Sequence, residues 1–185
     1  MRSLLCSLLF FYCFGLSSPE AKNVYLLEGG QASFTSDAPL ELIKAASDAL
    51  RGVIDPEQRT FAFNISIRSF QGFNSPLQRE HFNENYLESD KYPNATFFGK
   101  IIERTDLNVN GNYIIRAKGK LTIHGVERER IIKSNVLVKD GSMKVDAKFS
   151  VLLREHDITI PRIVHHKIAE EIEVAIGGDF EIEAP

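Results

Sequence analysis

The stretch "NYIIRAKGKLTIHG", residues 112–125, decides the fold. Tyr113, Ile115, Ala117, Gly119, Leu121 and Ile123 share one face of an extended chain, while Arg116, Lys118, Lys120, Thr122 and His124 share the other. Successive side chains of a strand point to opposite sides, so this period of two marks a half-buried strand. The scheme recurs outward from it. In "TFAFNISIRSF", residues 60–70, Phe61, Phe63, Ile65 and Ile67 oppose Ala62, Asn64, Ser66 and Arg68. In "SMKVDAKFSVLL", residues 142–153, Met143, Val145, Ala147, Phe149 and Val151 oppose Lys144, Asp146 and Lys148. "EEIEVAIGGDFEIEAP", residues 170–185, repeats it with Ile172, Val174 and Ile176, then Phe180 and Ile182 after a break at Gly177-Gly178. Asn110-Gly111 and Asp140-Gly141 are dipeptides that supply positive φ in tight hairpins, which makes neighbouring strands antiparallel. A succession of strands with one apolar and one wet face closes into a barrel or stacks as a sandwich.

Two segments depart from the pattern. "SDAPLELIKAASDALRG", residues 36–52, places Asp37 as an N-cap, Pro39 early, and Leu40, Ile43, Ala46 and Leu50 on one stripe. Periodicity alone reads it as an amphipathic helix ending at Gly52, against two half-buried strands around Ser47-Asp48. "QREHFNENYLESDKYPNATFFGK", residues 78–100, opens as a helix capped by Asn74 or Ser75, with Leu77, Phe82 and Tyr86 or Leu87 on one stripe. Tyr92-Pro93 ends it, since the residue before a proline is pushed out of the α region, and strand character returns at "ATFFGKII".

The chain has 185 residues, 43% hydrophobic and 25% charged, which suits one folded domain with a short appendage. A formal net charge of −3 and the lack of a basic tract argue against nucleic acid as a partner. The appendage is N-terminal. Arg2 precedes the apolar run "LLCSLLFFYCFGL", residues 4–16, and Ser17, Ser18 and Pro19 follow it. That layout predicts a signal peptide over residues 1–18, cleaved near Ser17 or Ala21, and a single domain over residues 22–185 in the periplasm or outside the cell. The alternative is a retained N-terminal anchor. Cys6 and Cys13 are the only cysteines and both lie in this segment, so the mature domain has no disulfide, no thiol nucleophile and no thiolate for a metal. Asn64-Ile65-Ser66 and Asn94-Ala95-Thr96 match the glycosylation tripeptide, a pattern frequent by chance.

"REHFNENYLESDKYPNATFFGKI", residues 79–101, and "GKLTIHGVERE", residues 119–129, resemble signature stretches of the YceI-like, polyisoprenoid-binding family. The resemblance continues in "GGQASFTSDAPL" and in "FSVLLREHDITIPRIVHHKIAEEIEV", and it spans Val24 to Ile182. It implies an all-β fold: an elongated antiparallel β-barrel of lipocalin-like type, with a short helical or irregular insert near residues 75–92. It also implies export, an apolar tunnel, and an isoprenoid lipid of the polyprenyl phosphate or quinone type as ligand. It sides with strand for residues 40–50. Val126-Glu127-Arg128 departs from the Thr-Lys or Thr-Arg that family members often carry after the His-Gly.

If the sheet closes, Phe61, Phe63, Ile65, Tyr113, Ile115, Leu121, Ile123, Val145, Phe149, Val151 and Ile172 point inward together, and Phe82 and Tyr86 of the insert cover them. A small barrel either fills such an interior with side chains or leaves a slot for one ligand. The resemblance favours the slot. Arg79, Arg162 and Lys167 are candidate contacts for a phosphate headgroup, because paired donors grip phosphate. His156, His165 and His166 match no metal-ligand spacing, and extended chain would turn His165 and His166 to opposite sides, so no metal and no cofactor are expected. The reading is a non-enzymatic lipid carrier, with passing membrane contact and no nucleic acid. An enzyme using His81 with Glu80, or His124, is the rival, and a ligandless barrel with a solid core is a third. His124 is expected on the outer face of its strand, as a surface side chain or bonded at a bulge.

Overall fold

The period-two segments are strands. The computed structural model describes residues 23–183, and the expected signal peptide, residues 1–18, lies outside them. The strands run in chain order as β1 (Tyr25–Ala38), β2 (Glu41–Asp55), β3 (Thr60–Ser66), β4 (Asn94–Ile101), β5 (Gly111–Ile123), β6 (Val126–Lys139), β7 (Ser142–Leu152) and β8 (Glu171–Ile182). Each pairs antiparallel with the next, and β8 pairs antiparallel with β1, so the sheet closes into an eight-stranded barrel without a free edge. Among the described residues no helix is long and apolar enough to cross a membrane.

Residues 41–55 form strand β2, not a helix, as the resemblance implied. The helical appearance has a local cause. Ser47 pairs with Ala32 but Leu50 pairs with Gly30, so β2 and β1 slip register across Asp48-Ala49. A bulge of this kind shifts the inward phase. The buried residues are Ile43, Ala45 and Ser47 before the bulge and Leu50 and Ile54 after it; of the stripe that reads as helical, Ile43 and Leu50 are buried while Leu40 and Ala46 face solvent.

The turns depart from expectation in two places. Asp140-Gly141 does join β6 to β7 with both residues at positive φ, as a two-residue hairpin requires. Asn110-Gly111 makes no tight hairpin: residues 102–110 form a longer loop between β4 and β5. The other tight turn with both residues at positive φ is His124-Gly125, between β5 and β6. Gly177-Gly178 breaks nothing either, because β8 runs through it in unbroken register with β7.

The barrel's two ends are built differently. One end carries the β2–β3 and β6–β7 turns and the 102–110 loop. Here Tyr25, Leu107, Val138, Met143 and Phe180 are fully buried and form a plug. The other end carries the β1–β2 and β5–β6 turns and two longer segments, residues 67–93 and 153–170. Between the ends, Gly99 of β4 faces Gly119 of β5, and the ring of Phe61 lies over Gly119. A methyl group at Gly99 would run into the carbonyl oxygen of Lys118 and the Cα of Gly119, both backbone. Gly99→Ala is therefore expected to force strands β4 and β5 apart and cost about 1–3 kcal/mol. Thermal unfolding checks this, with Tm falling by about 2–4 °C per kcal/mol; an unchanged Tm would show the close approach to be dispensable.

Candidate functional site

Above the plug the barrel is hollow. A cavity of about 490 Å³ reaches from Ile54, Ile101, Ile115 and Val145 at its floor to Glu41, Leu77, Gln78, His81 and Lys167 at its mouth. That volume lies within the ~300–1,000 Å³ of pockets that enclose small ligands. Phe61, Phe63, Ile65, Ile115, Leu121, Ile123, Val145, Phe149, Val151 and Ile172 all line it, as do Phe82 and Tyr86 of the insert. Tyr113 does not. Its ring lies on the plug side of the floor, and its hydroxyl donates to the carbonyl of Val109 at 2.8 Å, in the 102–110 loop. The inward phase of β5 was read correctly, but its first inward residue belongs to the filled end. The space is a blind cavity, closed by the plug, where a tunnel was expected.

The insert is a lid fastened at both ends. Ser75 caps helix α1 (Pro76–His81), its side chain accepting from the backbone N–H of Gln78, with Pro76 in the first turn where no N–H is needed. A π-turn at Phe82–Tyr86 follows. Its half-buried Phe82 stacks on Phe34 of β1 at 5.3 Å between ring centres and packs against Phe70 and Phe73. Burial pushes the Tyr86 phenol up. At the near end, Asn74 donates to the carbonyl of Leu42 at 3.0 Å and Gln78 donates to Glu41 at 2.9 Å. At the far end, the His124-Gly125 turn is the anchor. His124 is not on a strand face: its Nε2 lies 2.7 Å from Oε2 of Glu88 in the lid, and its Nδ1 lies 3.0 Å from the carbonyl oxygen of His156. The ring of Tyr92 lies edge-on to His124 and packs directly on Gly125.

The segment from β7 to β8 covers the rest of that end. A 3-10 turn, Leu153–His156, brings Ile158 against Ile67 of the barrel and Leu87 of the lid. β6 pairs with β7 over Ser134–Lys139 only, and Arg130 spans the gap beyond, donating to the carbonyl of Ser150 at 2.6 Å and to Glu155 at 3.2 Å. A second 3-10 turn, Arg162–Val164, leads to Lys167 and Ile168 at the mouth. The backbone N–H of Leu40 donates to the carbonyl of His166 at 2.9 Å, which ties this strap to the β1–β2 turn.

Of the candidate headgroup contacts, only Lys167 reaches the cavity. Arg79 donates to the carbonyl of Arg68 at 3.0 Å, outside the lid, and Arg162 does not line the space. His81 lines the mouth but Glu80 does not, and no hydrogen bond joins them among the described residues. His165 and His166 do not diverge: the chain turns there, and their rings sit 3.7 Å apart. Glu127 turns outward to Lys120 at 2.7 Å, on the barrel's outer wall. No cluster of His, Cys, Asp and Glu able to hold a metal occurs among the described residues. Phe34, Phe70, Phe73 and Phe97 line the cavity without having been singled out. Alternation in "GGQASFTSDAPL" could have found Phe34; nothing in "FFGK" separates the buried Phe97 from the exposed Phe98.

The model of the YceI-like domain matches residues 33–180. The chain belongs to the YceI-like family. Among solved structures of this fold, a polyisoprenoid-binding domain from Saccharophagus degradans, implicated in plant cell wall breakdown, matches with a TM-score of 0.73 at 16% identity, covering 88% of this chain and 100% of its own. BcnA of Burkholderia cenocepacia gives 0.67 at 16%, covering 81% and 95%. A YceI protein of Campylobacter jejuni gives 0.54 at 15%, covering 95% and 94%. At these identities the likeness is one of fold. No curated protein matches the chain.

His156 gives this YceI-like barrel a built-in response to acid. The ring is fully buried, Nδ1 donates to the carbonyl of Val126 at 3.0 Å, and Nε2 has no partner. Burial holds its pKa below the ordinary 6.5, outweighing the backbone carbonyls of Val126 and Ile123, which favour the charged ring. The folded state therefore binds fewer protons than the unfolded chain below that value. Stability should be intact above 6.5 and fall as pH drops through the window beneath it. Thermal melts of the parent and of His156→Gln across that window give the comparison. The variant should melt lower at neutral pH, from lost packing, yet with a shallower slope on acidification; parallel curves would remove His156 as the source.

Proposed function

We propose that this protein is an exported, non-catalytic lipid-binding barrel that holds the tail of an isoprenoid lipid in its cavity, with the headgroup at the mouth. The observation that carries the reading is the distribution of polarity along the cavity. Its floor and walls are mainly Phe, Ile, Leu, Val and Ala, with uncharged polar residues such as Ser134 among them, and its charged lining, Glu41, His81 and Lys167, is confined to the mouth. Such a gradient suits an amphiphile that enters tail first. Each methylene taken from water contributes about 0.8 kcal/mol, so a tail supplies affinity without a set of polar contacts. Family membership supports the ligand class, and one structural neighbour is described as polyisoprenoid-binding. Export rests on the layout of residues 2–18.

The rival enzyme reading has less support. His124 lies outside the cavity with both ring nitrogens engaged by lid and strap, and His81 at the mouth has no carboxylate bonded to it among the described residues. Organic extraction of the purified protein followed by mass spectrometry should return a prenyl lipid in stoichiometric amount. Delipidated, refolded protein should gain thermal stability when a prenyl phosphate or quinone is added. Filling the cavity separates binding from folding. Ala117→Phe and Ser134→Leu both place bulk in the hollow region, so each should lose lipid while keeping its Tm within about 3 °C of the delipidated parent. Retention of stoichiometric lipid by both variants, or no lipid and no stabilisation in the parent, would sink the carrier.

A further inference from the structure

We propose that the strap from Pro161 to Ile168 docks the barrel, mouth down, on an anionic lipid bilayer. The proposal deepens the lipid-carrier reading and rests on it for its purpose, but not for its test. Three segments ring the mouth, and each sets a large aliphatic side chain in water at its tip. Leu40 of the β1–β2 turn is 71% exposed, Leu77 of α1 is 57% exposed, and Ile163 of the strap is 91% exposed. Ile163 is the most exposed large hydrophobic among the described residues. These are not strays of one loop. The Leu40 N–H bonds to the His166 carbonyl, and Leu77 and Val164 both line the mouth, so turn, helix and strap meet around one opening. Of the other exposed aliphatics, Ile114, Ile131 and Leu137 sit on strand faces, and Val109 lies in the 102–110 loop at the plugged end.

Charge selects the occupant. The strap reads "PRIVHHKI": Arg162 and Lys167 flank Ile163, two histidines stand beside them, and no acid occurs until Glu170. Neither Arg162 nor Lys167 takes part in a salt bridge among the described residues. Acids on the neighbouring segments are Asp37 and Glu41 beside the β1–β2 turn, the latter accepting from Gln78, and Glu80 on α1. An aliphatic tip between free cations matches the boundary of an anionic membrane, where the tip enters the acyl region and each Lys or Arg near the surface adds about 1 kcal/mol. A neutral protein groove would use the tip but leave both cations without partners. Lys167 and Ile168 also line the cavity, so docking by the strap sets the mouth against the bilayer. A tail could then pass between bilayer and barrel without crossing water.

The full chain, expressed with its own N-terminal segment in an exporting host and recovered in soluble form, is floated with phosphatidylcholine vesicles that contain or lack phosphatidylglycerol. It should float with the anionic vesicles and far less with the neutral ones. Ile163→Asp, and separately Arg162→Glu, neither of which lines the cavity, should each cut the bound fraction about tenfold. Ile114→Asp, at the plugged end, should leave it unchanged. Prenyl-lipid binding in detergent solution is measured on the same proteins: both strap variants should retain it while losing transfer of that lipid between vesicles. Flotation equal to the parent in both strap variants, flotation indifferent to phosphatidylglycerol, or none with either vesicle would overturn the docking. Loss of detergent-phase binding in the parent would overturn the carrier reading instead.

Discussion

The interior of an eight-stranded barrel is a fixed volume that side chains and ligand must share, and everything in this molecule follows from how it is divided. Such a barrel has little more room than its own inward side chains need. Space for a ligand arises only where those side chains are small or held aside. At one end Tyr25, Met143 and Phe180 fill the bore, and Leu107 closes it from a loop. Above them the inward positions include Ala32, Ala117 and Ser134, and the bore stays open. The stability of the fold is thus concentrated at the plugged end, which leaves the other end free to bind.

A hollow end needs covers, because its apolar walls would otherwise face water. The lid and strap supply them at the expense of buried polar groups. Five backbone and side-chain contacts converge near one turn: His124 to Glu88 and to the His156 carbonyl, His156 to the Val126 carbonyl, and Tyr92 against both His124 and Gly125. The His124 ring is thus held between the Glu88 carboxylate of the lid and the backbone carbonyl of His156. Nearby, Nε2 of His156 is buried without a partner, a group that costs free energy to desolvate. The far end of the lid is therefore firmly fixed through polar bonds. The near end, by the mouth, is held by an exposed amide contact from Asn74 and a part-buried one from Gln78.

Much of the barrel was legible in the sequence because a period of two is a direct record of which face is buried. β3, β5, β7 and β8 could be phased residue by residue. The failures were local and share a cause. At β2 the apolar but exposed Leu40 and Ala46 completed a helical stripe with Ile43 and Leu50, a bulge between Ser47 and Leu50 interrupted the alternation, and only family resemblance sided with strand. At Asn110-Gly111 and His124-Gly125, composition named a turn or a bulge, but the register that decides the type depends on partners far away in the chain. Inward phase was likewise visible at Tyr113, but depth along the bore was not. Whether an inward residue meets ligand space or plug is set by neighbours on other strands, here Val136 and the 102–110 loop. The headgroup candidates were the hardest to place, because Arg79 lies on the short helix α1 and Arg162 on a 3-10 turn, whose directions relative to the barrel no period of two records.

The same division of volume bears on selectivity. A single cation, Lys167, stands at the mouth with His81, and nothing there forms the paired donors that grip one phosphate geometry. In the proposed carrier, recognition of the headgroup would be limited to a preference in charge. A tail in the cavity would meet aromatic walls, with Phe61 and Phe97 at 4.8 Å on one side and the Phe34–Phe82 stack at 5.3 Å on the other. Close-packed interiors deform little, so a tail too long for the space above the plug would leave its excess outside. On that reading discrimination falls on the shape and length of the tail, with the plug as its limit.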